Sequence, residues 1–166
     1  NVFVEGVTFE RGLYWNIVPQ YCEHILIRGI TVNSFGHGRT DGIDIDSSND
    51  VLIEYCSLDC QDDCYTMKSG RGKDGLKVNR PTSNVVIRKS IALRGAGGIV
   101  CGTEIAGGVR NVYMYDCVFE GTDQAFRFKT RRPRGGFVEN IYVERVRANV
   151  KRQALYCDID RKSTRL

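Results

Sequence analysis

Six copies of one ten-residue pattern decide the fold of this chain: NVFVEGVTFE (1–10), HILIRGITVN (24–33), DVLIEYCSLD (50–59), NVVIRKSIAL (84–93), NVYMYDCVFE (111–120) and NIYVERVRAN (140–149). Each copy is a polar turn-forming residue followed by a strand in which apolar and polar residues alternate. The copies start 23, 26, 34, 27 and 29 residues apart. A period in this range indicates supersecondary units that stack on one another.

A second series of short strands lies between the copies and in phase with them: GIDIDS (42–47), CYTMKS (64–69), GIVCGT (98–103), AFRFKT (125–130) and ALYCDI (154–159). No apolar period of 3.6 residues persists for three turns, so the sequence predicts no helix. Parallel strands that recur once per coil predict an all-β protein, a parallel β-helix of about six coils. Its winding is expected to be right-handed, because β-crossover-β connections nearly always are.

The residue that opens each copy is expected to have a structural role. Asn and Asp tolerate left-handed backbone conformations, and stacked polar side chains can hydrogen-bond along a ladder. His24 occupies this position, so we interpret it as a ladder residue and not as a catalytic base. Of the seven cysteines, Cys60 and Cys64 are expected to be reduced, with a disulfide between them as the alternative.

The length and the net charge of the chain limit its domain organisation and its possible partners. We expect residues 1–166 to be a single partial β-helix domain, because residue 1 already lies in a repeat and a solenoid needs capping units at its ends. The chain would then be the central, uncapped coils of a longer protein. The net charge of +4 suits a polyanionic partner. Nucleic acid is disfavoured because the strand aromatics are predicted to point inward, and no apolar run reaches membrane-spanning length.

Three aspartates are predicted to converge at one end of two adjacent strands. Alignment of the second series places Asp41 over Asp63, with Asp62 beside them, on coils about 4.8 Å apart. Mutual repulsion raises the pKa of at least one clustered carboxylate. An acid beside ionised carboxylates is what glycoside hydrolysis requires.

Two basic residues are predicted to share that face. Arg127 and Lys129 should point outward from the same sheet two coils further on, roughly 10 Å from the aspartates. Asp44 and Asp46, also outward, are expected to pair with these two residues and with Lys68. A purely structural interpretation remains open, because aspartates at strand starts are common turn formers.

These residues resemble a known family. The segments TDGIDIDSSNDVLIEYCSLDCQDDCYTMKSG (40–70), GAGGIVCGTEIAGG (95–108) and TDQAFRFKT (122–130) resemble glycoside hydrolase family 28, the polygalacturonases and rhamnogalacturonases. The resemblance implies a right-handed β-helix and inverting hydrolysis of pectic chains that contain galacturonic acid. It also implies Asp62 as general acid, and Asp41 and Asp63 as the residues that hold and activate water. Arg127 and Lys129 would bind the sugar carboxylate, and no metal or other cofactor is implied.

One position departs from the family pattern. The family usually has a histidine where this chain has Ala96. The chain either belongs to a branch that works without the histidine, or uses His37 in its place, or has weak or lost catalysis. The loop at residues 71–82 resembles that of exo-acting members, which predicts cleavage at chain ends.

Two other functions stay open at this stage. One is a pectate-lyase-type eliminase, which would use calcium, and the other is a β-helix that binds polysaccharide without cleaving it. The expected partner in every case is an acidic polysaccharide, with neither nucleic acid nor a membrane involved. Because pectin is a large extracellular polymer, the resemblance also implies a secreted or periplasmic protein.

Overall fold

The computed structural model describes residues 1–131 and 134–159 as a solenoid of parallel strands with one short helix. The predicted parallel β-helix of about six coils is confirmed. The elements in chain order are β1 (Val2–Glu5), β2 (Thr8–Glu10), β3 (Glu23–Arg28), β4 (Thr31–Asn33), β5 (Ile43–Asp46), β6 (Asn49–Glu54), β7 (Ser57–Asp59), β8 (Tyr65–Lys68), α1 (Gly72–Val78), β9 (Thr82–Arg88), β10 (Ile91–Cys101), β11 (Val109–Glu120), β12 (Thr122–Lys129), β13 (Val138–Asn149) and β14 (Leu155–Asp158).

Three parallel sheets form the faces of the solenoid. The first joins β1, β3, β6 and β9 to the first halves of β11 and β13. The second joins β2, β4, β7 and the start of β10 to the second halves of β11 and β13. The third, which we call the site sheet, joins β5, β8, the end of β10, β12 and β14.

A polar ladder runs along one corner of the coils, as the repeat predicts. His24, Asp50, Asn84, Asn111 and Asn140 all have φ between 55° and 58°, in the left-handed region that Asn and Asp tolerate. The Nδ2 of Asn111 donates to the Oδ1 of Asn84 at 3.0 Å, and that of Asn140 donates to Asn111 at 3.1 Å. The Nδ1 of His24 lies 2.6 Å from Asp50 Oδ2. The ladder interpretation of His24 is therefore confirmed.

The core consists of inward-facing columns that run from coil to coil. Ile27, Ile53, Ile87 and Met114 are in register on four successive strands of the first sheet, and each is 0% exposed. Such a column buries one apolar side chain per coil, so each coil stabilises its two neighbours.

We expect Ile87→Ala to lower the free energy of unfolding by about 2–5 kcal/mol, because the cavity would lie between two buried neighbours that cannot collapse into it. Val86→Ala is the matched control, since Val86 is half-buried on the outer face of the same strand, and we expect it to cost less than about 1 kcal/mol. Urea unfolding of both variants measures the difference. Equal losses would contradict the assignment of Ile87 to the core column.

The prediction that the chain has no helix is wrong. The segment after β8 contains the helix α1, which seven residues including two glycines do not signal by periodicity. Asp44 is on the outer face of the site sheet, as predicted, but it is 0% exposed, because the ammonium of Lys68 lies 3.3 Å from it with the Trp15 ring against that ammonium. Cys60 and Cys64 are free thiols, as expected, so the disulfide alternative is wrong.

No helix in the described ranges is long and apolar enough to cross a membrane.

Candidate active site

The three predicted aspartates converge where two strands of the site sheet begin. Asp41 precedes β5, and Asp62 and Asp63 precede β8. The backbone N–H of Gly42 donates to the Asp63 carbonyl at 2.9 Å and joins the two coils. One carboxylate oxygen from each aspartate lies within 4.8 Å of those of the other two. Asp41 and Asp63 are 3% and 1% exposed, whereas Asp62 is half-buried and open to solvent.

Both predicted basic residues contact this cluster directly. Arg127 Nη1 lies 2.9 Å from Asp63 Oδ1, and Lys129 Nζ pairs with Asp63 Oδ2. The predicted separation of roughly 10 Å is therefore wrong, as is the expected pairing of these two residues with Asp44 and Asp46. The backbone of Arg127 is two coils from that of Asp63, but its side chain spans the coil between them.

Gly97 lies on that intervening coil and makes the contact possible. A Cβ built at Gly97 would lie 3.2 Å from Asp63 Oδ1 and 3.5 Å from Arg127 Cβ. A side chain at this position would crowd the path along which the guanidinium reaches the carboxylate. Gly97 therefore contributes to the site by having no side chain, because this leaves room for the guanidinium of Arg127 to reach Asp63.

The surroundings drive the pKa values of the two adjacent aspartates apart. Burial raises the pKa of Asp63, but Lys129 and then Arg127 outweigh burial, so its pKa is lowered. Burial and the neighbouring Asp63 raise the pKa of Asp62 against the weaker opposing effects of Lys129 and Arg127. Two carboxyl groups whose pKa values are pushed in opposite directions suit an acid and a base.

The third aspartate belongs to a second buried group. Burial and the nearby Asp44 raise the pKa of Asp41 to about 10, although Lys68 opposes the shift. Burial raises the pKa of Asp44 to about 7, again against Lys68. The raised pKa of Asp41 favours its protonated form at neutral pH, and the lowered pKa of Asp63 favours its ionised form.

Sequence reasoning missed Lys68 and Glu104 as site residues. Lys68 Nζ lies 3.5 Å from Asp41 Oδ2, 3.3 Å from Asp44 Oδ1 and 3.4 Å from Glu104 Oε2. Glu104 also pairs with Arg134 at 3.2 Å. The strand alternation signalled that Lys68 shares the aspartates' face. No repeat marks Glu104, because it follows β10 in a segment with no counterpart on other coils.

The described residues place no imidazole against the aspartates. Ala96 occupies the position of the family's usual histidine, and its N–H donates to the Asp62 carbonyl at 3.0 Å. His37 is exposed, and no hydrogen bond or ion pair joins its ring to the three carboxylates in the described ranges. The alternative in which His37 supplies the imidazole therefore has no support in the geometry.

The three aspartates are also a group of side chains that could hold a metal ion. Cations already contact two of them, since Arg127 and Lys129 bind both oxygens of Asp63 and Lys68 faces Asp41. A metal ion would have to compete with these fixed positive charges. The expectation that the site uses no metal stays a prediction.

A cavity of about 390 Å³ lies beside the cluster, on the side of Glu104. Stacked rings of Tyr14 and Trp15, 5.2 Å apart, form one wall. Arg71, Asp74 and other residues of α1 and the preceding turn also line the cavity. Because Glu104 and Trp15 both contact Lys68, the cavity and the aspartates are separated by one side chain.

The fold and the site define a parallel β-helix with a carboxylate centre of the kind that cleaves glycosidic bonds. The model of the glycosyl hydrolases family 28 matches residues 1–162. The chain therefore belongs to this family, and the resemblance inferred from its motifs is confirmed.

Individual relatives agree with the family assignment. A probable polygalacturonase of Vitis vinifera is 34% identical over 145 residues, which are 86% of this chain and 30% of that protein. An exopolygalacturonase from Thermotoga maritima, of known crystal structure, superimposes with a TM-score of 0.87 at 36% identity, over 93% of this chain and 36% of that one. A family 28 exopolygalacturonase of Yersinia enterocolitica has a TM-score of 0.92 at 20% identity and supports the fold alone. This chain spans between 29% and 36% of the length of these three proteins.

Proposed function

We propose that the protein is an inverting glycoside hydrolase that cleaves α-linked galacturonic acid chains of pectic polysaccharide. The observation that carries this proposal is the adjacent pair Asp62 and Asp63, one with a raised and one with a lowered pKa, beside Arg127 and Lys129. The pair supplies an acid and a base. The two cations match the carboxylate that distinguishes a uronate from a neutral sugar.

The roles of the aspartates follow from exposure and charge. Asp62 is the most accessible of the three and its pKa is raised by burial and by Asp63, so it is the acid that donates a proton to the glycosidic oxygen as the bond to the anomeric carbon breaks. Asp63 is ionised and takes a proton from water, whose oxygen adds to the anomeric carbon from the opposite face. Asp41 is buried beside Asp63 and holds that water.

The basic pair has a double role in this mechanism. Arg127 and Lys129 neutralise Asp63 in the free site and also offer donors to the carboxylate of a bound uronate. Arginine presents five N–H donors and lysine three, so each retains donors after its contact with Asp63. Binding a uronate therefore does not require either ion pair to break.

Cleavage at chain ends is the finer part of the proposal. The cavity lined by Tyr14, Trp15, Arg71 and Asp74 has the volume of a small-ligand site, and α1 limits it on one side. Its aromatic wall suits the apolar face of a pyranose ring, and its charged residues suit the hydroxyl groups. A terminal sugar bound there would lie on the side of Glu104, whose partner Lys68 contacts Asp41, so the glycosidic bond next to the chain end would be the one nearest the aspartates.

Digestion of polygalacturonate and rhamnogalacturonan by the intact protein tests both parts. We expect reducing ends from polygalacturonate without a rise in ultraviolet absorbance, and only mono- or disaccharides in the first minutes. Many oligomer sizes at early times would contradict action at chain ends. Unsaturated, ultraviolet-absorbing products that a chelator abolishes would indicate a pectate-lyase-type eliminase. Binding without reducing ends would indicate a polysaccharide-binding protein and would point to Ala96 as the reason.

Lys129→Ala tests the basic pair. We expect kcat/KM to fall about 10- to 100-fold, because a hydrogen bond between charged groups contributes about 1.5–3 kcal/mol. Most of the loss should appear as a higher KM. Lys129 lowers the pKa of Asp63, so its removal raises that pKa. A base is lost as pH falls through its pKa, so the acid limb of kcat/KM moves to higher pH.

Lys89→Ala is the control for this variant, because Lys89 is an exposed lysine that contacts Tyr55 away from the site sheet. Its kinetics and pH profile should match the wild type. An unchanged KM and an unchanged acid limb in Lys129→Ala would remove Lys129 from the site.

We also propose that the protein acts outside the cytoplasm, either secreted or in a periplasm. The support is the size of the substrate, because a pectic polymer must be shortened where it is found. Cell fractionation with an antibody against the protein tests this location.

A further inference from the structure

Lys68 is a charged residue in the centre of the site sheet whose side chain is only 4% exposed. Long lysine side chains usually extend their ammonium group into water, and a buried ammonium is unfavourable unless it is well paired. The burial of this ammonium therefore requires a cause other than the formation of β8.

Its ammonium is surrounded on four sides. The charged groups that face it are Asp41 and Asp44 from the coil of β5, Asp63 from the start of β8 and Glu104 from the segment after β10. Three of these carboxylates have an oxygen within 3.5 Å of the nitrogen. The ring centroid of Trp15 lies 4.2 Å away on the remaining side. In the described part of the chain, Glu104 Oε2 accepts a hydrogen bond from this ammonium, and the two aspartates are ion-pair contacts.

The two aspartates that it contacts differ in their relation to the reaction. Asp44 is 0% exposed and lies outside the catalytic cluster, so its pairing with Lys68 is a structural contact. Asp41 is a member of the cluster. In residues 1–131 and 134–159, Lys68 is the one cation that pairs with Asp41, whereas Arg127 and Lys129 both pair with Asp63.

We infer that Lys68 is a positioning residue of the reaction: it fixes the carboxyl group of Asp41 in the orientation that holds the attacking water. Glu104 and Trp15 in turn fix the ammonium. This inference rests on the proposed function. It assigns a catalytic consequence to a residue that does not touch substrate, in a site where the family's usual histidine is replaced by Ala96.

The expected effect of Lys68→Met follows from that role. Without the ammonium, Asp41 loses its one cationic contact and can turn away from Asp62 and Asp63. We expect kcat to fall about 100-fold, the effect of misplacing a catalytic group by about 1 Å. We expect KM to stay within about threefold of wild type, because Arg127 and Lys129 still bind the uronate. Lys73→Met on the exposed face of α1 is the control.

A double variant separates positioning from folding. Lys68→Met alone leaves the buried Asp44 without a cation and destabilises the coil, whereas Asp44→Asn with Lys68→Met removes both charges together. If Lys68 served only to neutralise Asp44, the double variant would recover wild-type kcat. The inference predicts that kcat remains low in a folded double variant, since Asp41 still lacks its partner. Recovery of kcat would overturn it.

A titration tests the contact without any need for turnover. With ¹³C-labelled aspartate, the carboxyl signals of Asp41 and Asp44 are assigned by Asp→Asn substitution and followed with pH by NMR. Burial raises the pKa of Asp41 to about 10 and Lys68 opposes that shift, so in Lys68→Met the titration of Asp41 should move to higher pH by at least about one pH unit. An unchanged titration would overturn the inference. If the wild-type protein released no reducing ends, the proposed function would fail while this titration still decided the contact.

Discussion

Asp62→Asn lowers turnover on polygalacturonate by about 100- to 10,000-fold, the range that general acid catalysis contributes. Asparagine retains the Oδ1 atom that accepts the Asp63 N–H at 3.0 Å, so the local backbone is preserved and only the transferable proton is lost. Initial rates of reducing-end release, with substrate well above KM, measure the effect. We expect KM to change little because Arg127 and Lys129 are untouched.

Asp50→Asn is the control for this variant. It makes the same chemical change at a repeat position where four other copies already have asparagine, so we expect wild-type turnover. A near-normal rate in Asp62→Asn would remove Asp62 from the role of general acid. The half-buried position of Asp62 would then need another function.

Asp63→Asn should have the second large effect, and it acts on both activity and stability. Turnover falls by about 100- to 10,000-fold because the site loses its base. The free energy of unfolding falls by about 3–5 kcal/mol, because Arg127 and Lys129 remain buried without their counter-charge. Rates and urea unfolding measured on the same preparation give the two values.

A surface pair provides the comparison for stability. Asp59→Asn removes a carboxylate that pairs with the half-exposed Arg94, and we expect it to cost less than about 1 kcal/mol, as exposed ion pairs do. A stability loss in Asp63→Asn no larger than that of Asp59→Asn would show that the two cations do not depend on Asp63. The description of the site as a neutralised buried cluster would then be wrong.

The repeat predicted the fold and the position of the aspartates for the same physical reason. Strand alternation determines which side chains share a face, and alignment of the repeat copies determines which residues stack on neighbouring coils. Asp41, Asp62 and Asp63 could therefore be brought together from the sequence alone. The same argument identified the polar ladder that contains Asn111. These properties depend on backbone geometry, and the spacing of the repeat copies predicts that geometry directly.

Side-chain reach could not be predicted in this way. The approach of Arg127 to Asp63 depends on the empty space at Gly97 and on the length of the arginine side chain. A distance estimated from the spacing between coils includes neither of these. The importance of Lys68 was hidden for a similar reason, since its partner Glu104 lies outside the repeat. The helix α1 was missed because its two turns contain two glycines.

The distance between the carboxyl groups makes stereochemistry the most informative property of the reaction. Oxygens of the three aspartates lie within 4.8 Å of one another. This is shorter than the ~6.5–9.5 Å usual for inverting glycosidases and close to the ~5–5.5 Å of retaining ones. We still expect inversion, because cations bind both oxygens of Asp63 and weaken it as a nucleophile. The raised pKa of Asp41 keeps that group protonated.

Proton NMR of the first products therefore tests the central claim most directly. A short α-linked galacturonate oligomer is mixed with the intact protein, and the anomeric region is recorded before mutarotation equilibrates the product. The account predicts that the β-anomer of the new reducing end appears first. Initial appearance of the α-anomer would indicate a covalent intermediate on an aspartate, and a vinyl proton would indicate elimination. Either result would contradict the assignment of Asp62 as acid and Asp63 as the base that activates water.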